Sequence, residues 1–124
     1  METFPVLWNP SAYRVSRTNR FVAPPRIGGS ARVRAGAAGT ERFETRLFFD
    51  ATRSEGAARD LREPMARLER WAEAAAGSSL PDEVLFAWGS FRFRGVIEEL
   101  EEECVRFDPD GTPVRAWVDI TLRR

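Results

Sequence analysis

Residues 91–123 read FRFRGVIEELEEECVRFDPDGTPVRAWVDITLR, and this stretch decides the fold. Val114, Ala116, Val118, Ile120 and Leu122 alternate with Arg115, Trp117, Asp119, Thr121 and Arg123, the period-two pattern of a half-buried strand. Asp108-Pro109-Asp110-Gly111 ahead of it is a turn, because proline pre-sets φ and glycine tolerates a positive one. Further upstream, Phe91 and Phe93 alternate with Arg92 and Arg94, and Gly95 marks a bulge or a close backbone approach. The strand resumes through Val96, Ile97 and Leu100 toward Phe107. A hairpin over about 97–123 is the anchor of the chain.

Working outward, the apolar run Glu83–Trp88 before Gly89 is a further strand. Another spans Glu41 to Asp50, where Phe43, Thr45, Leu47 and Phe49 alternate with Arg42, Glu44 and Arg46. Phe48 breaks that alternation, which implies that both faces of this end are covered. Between them, Leu61, Met65, Leu68, Trp71, Ala72 and Ala75 recur at helical spacing and predict one helix over about 60–76 with a core-facing stripe. Asp60 and Glu63 have capping-box spacing, Pro64 falls in the first turn, and Gly77-Ser78-Ser79 with Pro81 ends the helix. Prolines at 5, 10, 24 and 25 keep the first quarter extended, with a short strand around 12–18 and a loop over about 23–40. The fold class is mainly β (α+β): antiparallel strands with one packed helix, in a single domain over 1–124.

Composition narrows the function. The chain has 124 residues, 43% hydrophobic and 31% charged, which is globular composition. Its nineteen basic residues are all arginine, with no lysine and no histidine, and nineteen acids balance them. Lysine Schiff-base chemistry, histidine general-base catalysis and histidine-ligated metal sites are therefore excluded. Cys104 is alone and has no internal disulfide partner. No apolar run reaches the roughly 20 residues of a membrane helix, and METFPVLWNPSAYR has no signal-peptide pattern. The expectation is a domain made in the cytoplasm, with no membrane insertion.

The balanced charge is segregated along the chain. Residues 1–50 hold eight arginines against four acids, a net of +4, and residues 51–124 hold eleven against fifteen, a net of −4. Arg14, Arg17, Arg20, Arg26, Arg32 and Arg34 have no acid among them, whereas Glu98, Glu99, Glu101, Glu102 and Glu103 crowd into six positions. Two readings are open: pairing or solvation within one chain, or one patch meeting the other on a neighbouring copy.

Glu99, Glu101 and Glu103 share one strand face, and Asp119 lies across the hairpin, so a carboxylate pair of glycosidase type is conceivable. Five neighbouring glutamates read instead as solvated or ion-paired, and no catalytic residue is assigned. No calcium loop and no phosphate-binding glycine pattern is present, so no metal and no cofactor is expected. Phe91-Arg92-Phe93-Arg94 has the make-up of a single-strand nucleic-acid platform, but an amphipathic strand with Phe inward and Arg outward is the better reading. The zero net charge gives no general pull toward nucleic acid.

Four blocks together carry a resemblance. NPSAY at 9–13 with Asn19, LFFD at 47–50, FAWGSFRFRGVIEE at 86–99 and PDGTPVRAWVDITL at 109–122 resemble the tube-initiator proteins of contractile injection systems, the phage-tail-like particles. The similarity runs over about residues 6–123, in the family's order and spacing. It implies two antiparallel sheets packed as a distorted barrel with one flanking helix, like a phage tail tube. It also implies six copies in a ring whose sheets join into a β-lined channel, set between the spike hub and the inner tube. Partners would then be further copies, the hub and inner-tube proteins, and baseplate proteins. Assembly would take place in the bacterial cytoplasm, and the particle would stay there or be released. Longer members continue into a LysM module; this chain stops at Arg124, so no LysM fold is expected in it.

Carried over by residue, Asn9-Pro10 and Tyr13 would set the start of the first strand, Phe48 and Phe49 belong to the core, and Trp88-Gly89 and Gly95 shape the sheet. Arg115 would pair with a carboxylate of the Glu-rich strand. Ring contacts fall to Arg14, Arg17, Arg92 and Arg94 against Glu99, Glu101 and Glu103. The alternative function is a small β-barrel binding module for a peptide or single-stranded nucleic acid.

Overall fold

The computed structural model describes residues 12–19, 21–22, 34–35, 39–73 and 81–124. Its centre is a five-stranded antiparallel sheet in the order β1-β4-β7-β6-β5. The strands are β1 (Tyr13–Thr18), β4 (Thr40–Asp50), β5 (Glu83–Trp88), β6 (Phe91–Phe107) and β7 (Pro113–Arg123). A separate ribbon pairs β2 (Phe21–Val22), just ahead of the span read from sequence as a loop, with β3 (Arg34–Ala35) inside it; most of that span, and Asn9-Pro10, lie outside the described residues.

Strand β7 sits in the middle because its alternation is the cleanest. Val114, Ala116, Val118, Ile120 and Leu122 are all buried, between Phe43, Leu47 and Phe49 of β4 and Ile97 of β6. The β6–β7 turn closes as the sequence requires: the Asp108 amide donates to the Thr112 carbonyl at 2.9 Å, and Gly111 takes φ +90°.

Strand β6 is 17 residues long and serves two partners in succession. Residues 91–96 pair with β5, and residues 96–107 pair with β7. At the junction Glu98 is an extra residue between Ile97↔Leu122 and Glu99↔Thr121, a bulge that bends the strand. Gly95 lies beside it, and a Cβ there would meet the Arg123 carbonyl oxygen at 2.4 Å. The sequence therefore marked the right spot, with close approach at Gly95 and the bulge three residues later.

The bend curls the sheet. A flat sheet would hold β1 about 19 Å from β5, four strand spacings away. Instead Tyr13 of β1 stacks on Phe91 at 4.5 Å between ring centroids and meets Trp88 edge-on at 6.0 Å. Phe43 lies beneath, 4.6 Å from Phe86 and 5.4 Å from Phe93. One sheet folded along β6 thus forms an open half-barrel, where two packed sheets were expected. The FRFR strand turns both phenylalanines into this cluster, so it offers no aromatic platform to a nucleic acid.

Helix α1 (Arg62–Ala72) covers the other end of the concave face with Leu61, Met65 and Leu68 buried, and Trp71 and Ala72 against the same core. The expected residues 74–76 lie outside the described residues. The capping box does not form. The Leu61 amide donates to the Pro113 carbonyl at 3.0 Å, which ties Leu61 to the hairpin and starts the helix at Arg62. Asp60 still accepts the Arg62 amide at 2.9 Å, but Glu63 turns away to pair with Arg67 one turn on. A 3-10 turn (Gly56–Arg59) leads in, and its Arg59 forks onto Asp108 at 2.6 and 2.7 Å while donating to the Thr52 carbonyl at 2.7 Å. That fork fixes the approach to the helix against the hairpin turn. Phe48 departs from the core expectation: it is half-buried on the convex face, 4.5 Å from the Trp117 ring.

Candidate assembly surfaces

Directly paired residues point to the same side, so the registers arrange the convex face in rungs. Arg14, Glu44, Thr121 and Glu99 form one rung across β1, β4, β7 and β6. Arg46, Asp119 and Glu101 form the next, then Phe48, Trp117 and Glu103, then Asp50, Arg115 and Arg106. The sequence placed Glu99, Glu101 and Glu103 on one face opposite Asp119, and the structure does the same.

Most of the charges on this face have partners inside the chain. Arg14 reaches Glu44 at 4.0 Å, and Arg46 stands 3.6 Å from Asp119 and 3.9 Å from Glu103 while covering the Trp117 ring at 4.3 Å. Arg42 spans β7 to fork onto the bulged Glu98 at 3.0 and 3.3 Å. The Glu98 hydrogen bond pushes the Arg42 guanidinium further up from its ordinary range. Arg17, on the opposite side of β1 from Arg14, donates to Glu41 at 2.7 Å. Arg94 lies 3.5 Å from Glu83, and Arg92 donates to the Gly89 and Phe91 carbonyls of the β5–β6 turn.

Arg115 corrects an expectation. Its guanidinium donates to Asp50 of β4 at 3.2 Å, and on the Glu-rich strand it faces Arg106. The register shift between Cys104 and Arg106 puts a like charge where a carboxylate was anticipated. Glu99 and Glu101 differ from the rest of the set. Neither makes an ion pair or hydrogen bond among the described residues, and Glu101 stands directly across from Asp119, an unfavourable like-charge pairing.

The backbone edges complete the surface. On one side, among the described residues, β1 has only β4 as neighbour, and on the other β6 beyond Val96 has β7 alone. Among the described residues, no strand covers the far side of 98–107. Val105 and Phe107 at that edge are 44% and 55% exposed, and Tyr13 and Val15 on β1 are 42% and 47% exposed. Open edges with apolar side chains are a template for another strand.

Sequence reasoning missed Glu102. The bulge at Glu98 resets the alternation so that Leu100, Glu102 and Cys104 share the concave face. The signal was present in the spacing of Leu100 and Cys104, which brackets the glutamate. Cys104 is half-buried beside Met65 at 3.9 Å, and burial pushes its thiol up.

Among the described residues no cluster of potential metal ligands occurs, and no helix is long and apolar enough to cross a membrane. No curated protein matches the chain. The family model of the contractile injection system tube protein matches residues 1–124. A curled antiparallel sheet with open edges is in keeping with that match, and the chain belongs to the contractile injection system tube protein family.

Proposed function

We propose that the chain is a tube-initiator or adaptor subunit, six copies of which form a ring between the spike hub and the inner tube of the particle. The family supports a structural component of a contractile injection system. The observation that carries the finer reading is the pair of open, oppositely charged sheet edges. Strand β1 brings Arg14 and Arg17 to one edge, and β6 brings Glu99, Glu101 and Glu103 to the other.

In this reading β1 of one copy runs beside residues 98–107 of the next, a head-to-tail contact that closes into a ring. Backbone hydrogen bonds supply most of the affinity, and the charges set register and direction. Arg14 can exchange its exposed 4.0 Å contact with Glu44 for Glu99 or Glu101 of a neighbour at small cost. Arg92, Arg94 and Arg115 belong to the outlying contacts of the same interface. The role is non-enzymatic. The ring assembles in the bacterial cytoplasm with the hub, inner-tube and baseplate proteins, in a particle retained there or released.

Reversing Glu99 and Glu101 together to arginine tests this. The double variant should fold as the wild type does by circular dichroism and fail to enter particles in its host. Normal incorporation of the folded variant would show that the edge assignment is wrong.

A further inference from the structure

We propose that a cavity on the convex face is a guanidinium socket, filled in the assembled ring by Arg14 of the neighbouring copy. The cavity measures about 480 Å³ and lies between the first two rungs, with Arg14, Glu44, Glu99, Asp119 and Thr121 around it. Thr121 is only 9% exposed, and its side chain points to the same side as Glu44 and Glu99. It makes no hydrogen bond among the described residues. A buried hydroxyl left without a partner is costly, and this one lines a space that a partner can enter. Its oxygen accepts an N–H while the carboxylates around it draw a cation, and a guanidinium supplies both.

The carboxylates bordering the cavity are loosely held. Arg14 stands 4.0 Å from Glu44 with 79% of its own side chain exposed, and Asp119 has Arg46 at 3.6 Å. Glu99 has no ion pair or hydrogen bond among the described residues. An arginine suits this setting better than a lysine, because its planar fork sends N–H groups to several fixed acceptors at once. Every basic side chain that a second copy can offer is an arginine. Arg14 is the one delivered by the ring reading, on which this inference rests. With β1 of one copy beside residues 98–107 of the next, its Arg14 has to cross β6 to reach Thr121 on β7. The chain already holds an arginine that makes such a crossing: Arg42 of β4 spans β7 to Glu98 of β6 at 3.0 Å. Around a closed ring each cavity gives up its own Arg14 and receives its neighbour's, so no charge is left over.

The socket is tested on the free chain by following its threonine methyl groups by NMR while N-acetylarginine amide is added, with N-acetyllysine amide as the control. The Thr121 resonance, assigned by its loss in Thr121→Val, should shift and saturate with the arginine derivative and bind the lysine derivative more weakly. Glu99→Gln should weaken the arginine derivative about tenfold, the worth of one charge-assisted hydrogen bond. No saturable shift at Thr121, or equal binding of the two probes, overturns the socket whatever becomes of the ring. The occupant is tested in particles from the host. Arg14→Lys keeps the charge and Thr121→Val keeps the shape, so both should fold as the wild type does by circular dichroism and be largely lost from particles. If both enter at the wild-type level while the reversal of Glu99 and Glu101 does not, the occupant is wrong and the ring reading stands. If that reversal enters as well, the ring reading falls and takes the socket's occupant with it.

Discussion

The carbonyl oxygen of Arg123 lies 2.4 Å from the place where a Cβ on residue 95 would stand, and its carbon lies at 2.8 Å. Both are backbone atoms of the central strand, which cannot swing aside as a flexible side chain would. Gly95 is thus the residue that lets β6 bend closely over the end of β7. Gly95→Ala should cost about 1–3 kcal/mol, the range for overpacking a tight site. Urea unfolding at neutral pH measures it.

Phe43 is the floor of the aromatic cluster and is fully buried, with Tyr13, Phe86, Phe91 and Phe93 around it. It holds the folded-over β5–β6 segment to β4. Phe43→Ala should destabilise by about 3–5 kcal/mol, and Trp88 fluorescence should report the loosening of the curl.

How much of this was legible in the residues follows from the kind of interaction involved. Alternation in β4 and β7 is a local pattern, so Phe43, Leu47, Val118 and Leu122 were placed correctly without any knowledge of neighbours. The helix was legible for the same reason through Leu61, Met65 and Leu68. What escaped is set by partners distant in sequence. The start of α1 is decided by the Pro113 carbonyl, the company of Arg115 by a register shift in β6, and the inward turn of Glu102 by the bulge at Glu98. The single curled sheet escaped likewise, because strand periodicity does not say that β6 serves two partners. Of the contact set, the shared face of Glu99, Glu101 and Glu103 was legible, and the internal partners of Arg14, Arg17 and Arg94 were not.

Acid should weaken the fold through a defined group of aspartates. The Arg59 hydrogen bonds hold Asp108 below the usual carboxylate range, the Arg62 side chain does the same for Asp60, and the Thr112 amide does so for Asp110. A depressed folded value means stability that is present above the unfolded range and lost as pH falls through the folded one. Asp108→Asn should therefore lower the melting temperature at neutral pH and flatten its fall in acid. An unchanged acid profile, measured by thermal unfolding at a series of pH values, would show that the Arg59 fork does not couple to folding.

The Arg92 and Arg94 pair gives a second handle on assembly. Both side chains lie on the exposed convex face, Arg92 capping turn carbonyls and Arg94 near Glu83. Reversing both to glutamate should leave the fold intact and block stacking of the ring in the particle. Sedimentation of host lysates, followed by probing for the variant in the particle fraction, reads the outcome.

The most direct test of the central claim is to delete the gene in its host and image the sedimentable fraction by negative-stain electron microscopy. The account predicts that sheathed particles vanish, leaving stray sheath and hub, and that the gene supplied in trans restores them. Particles of normal length that still contract without the chain would contradict it.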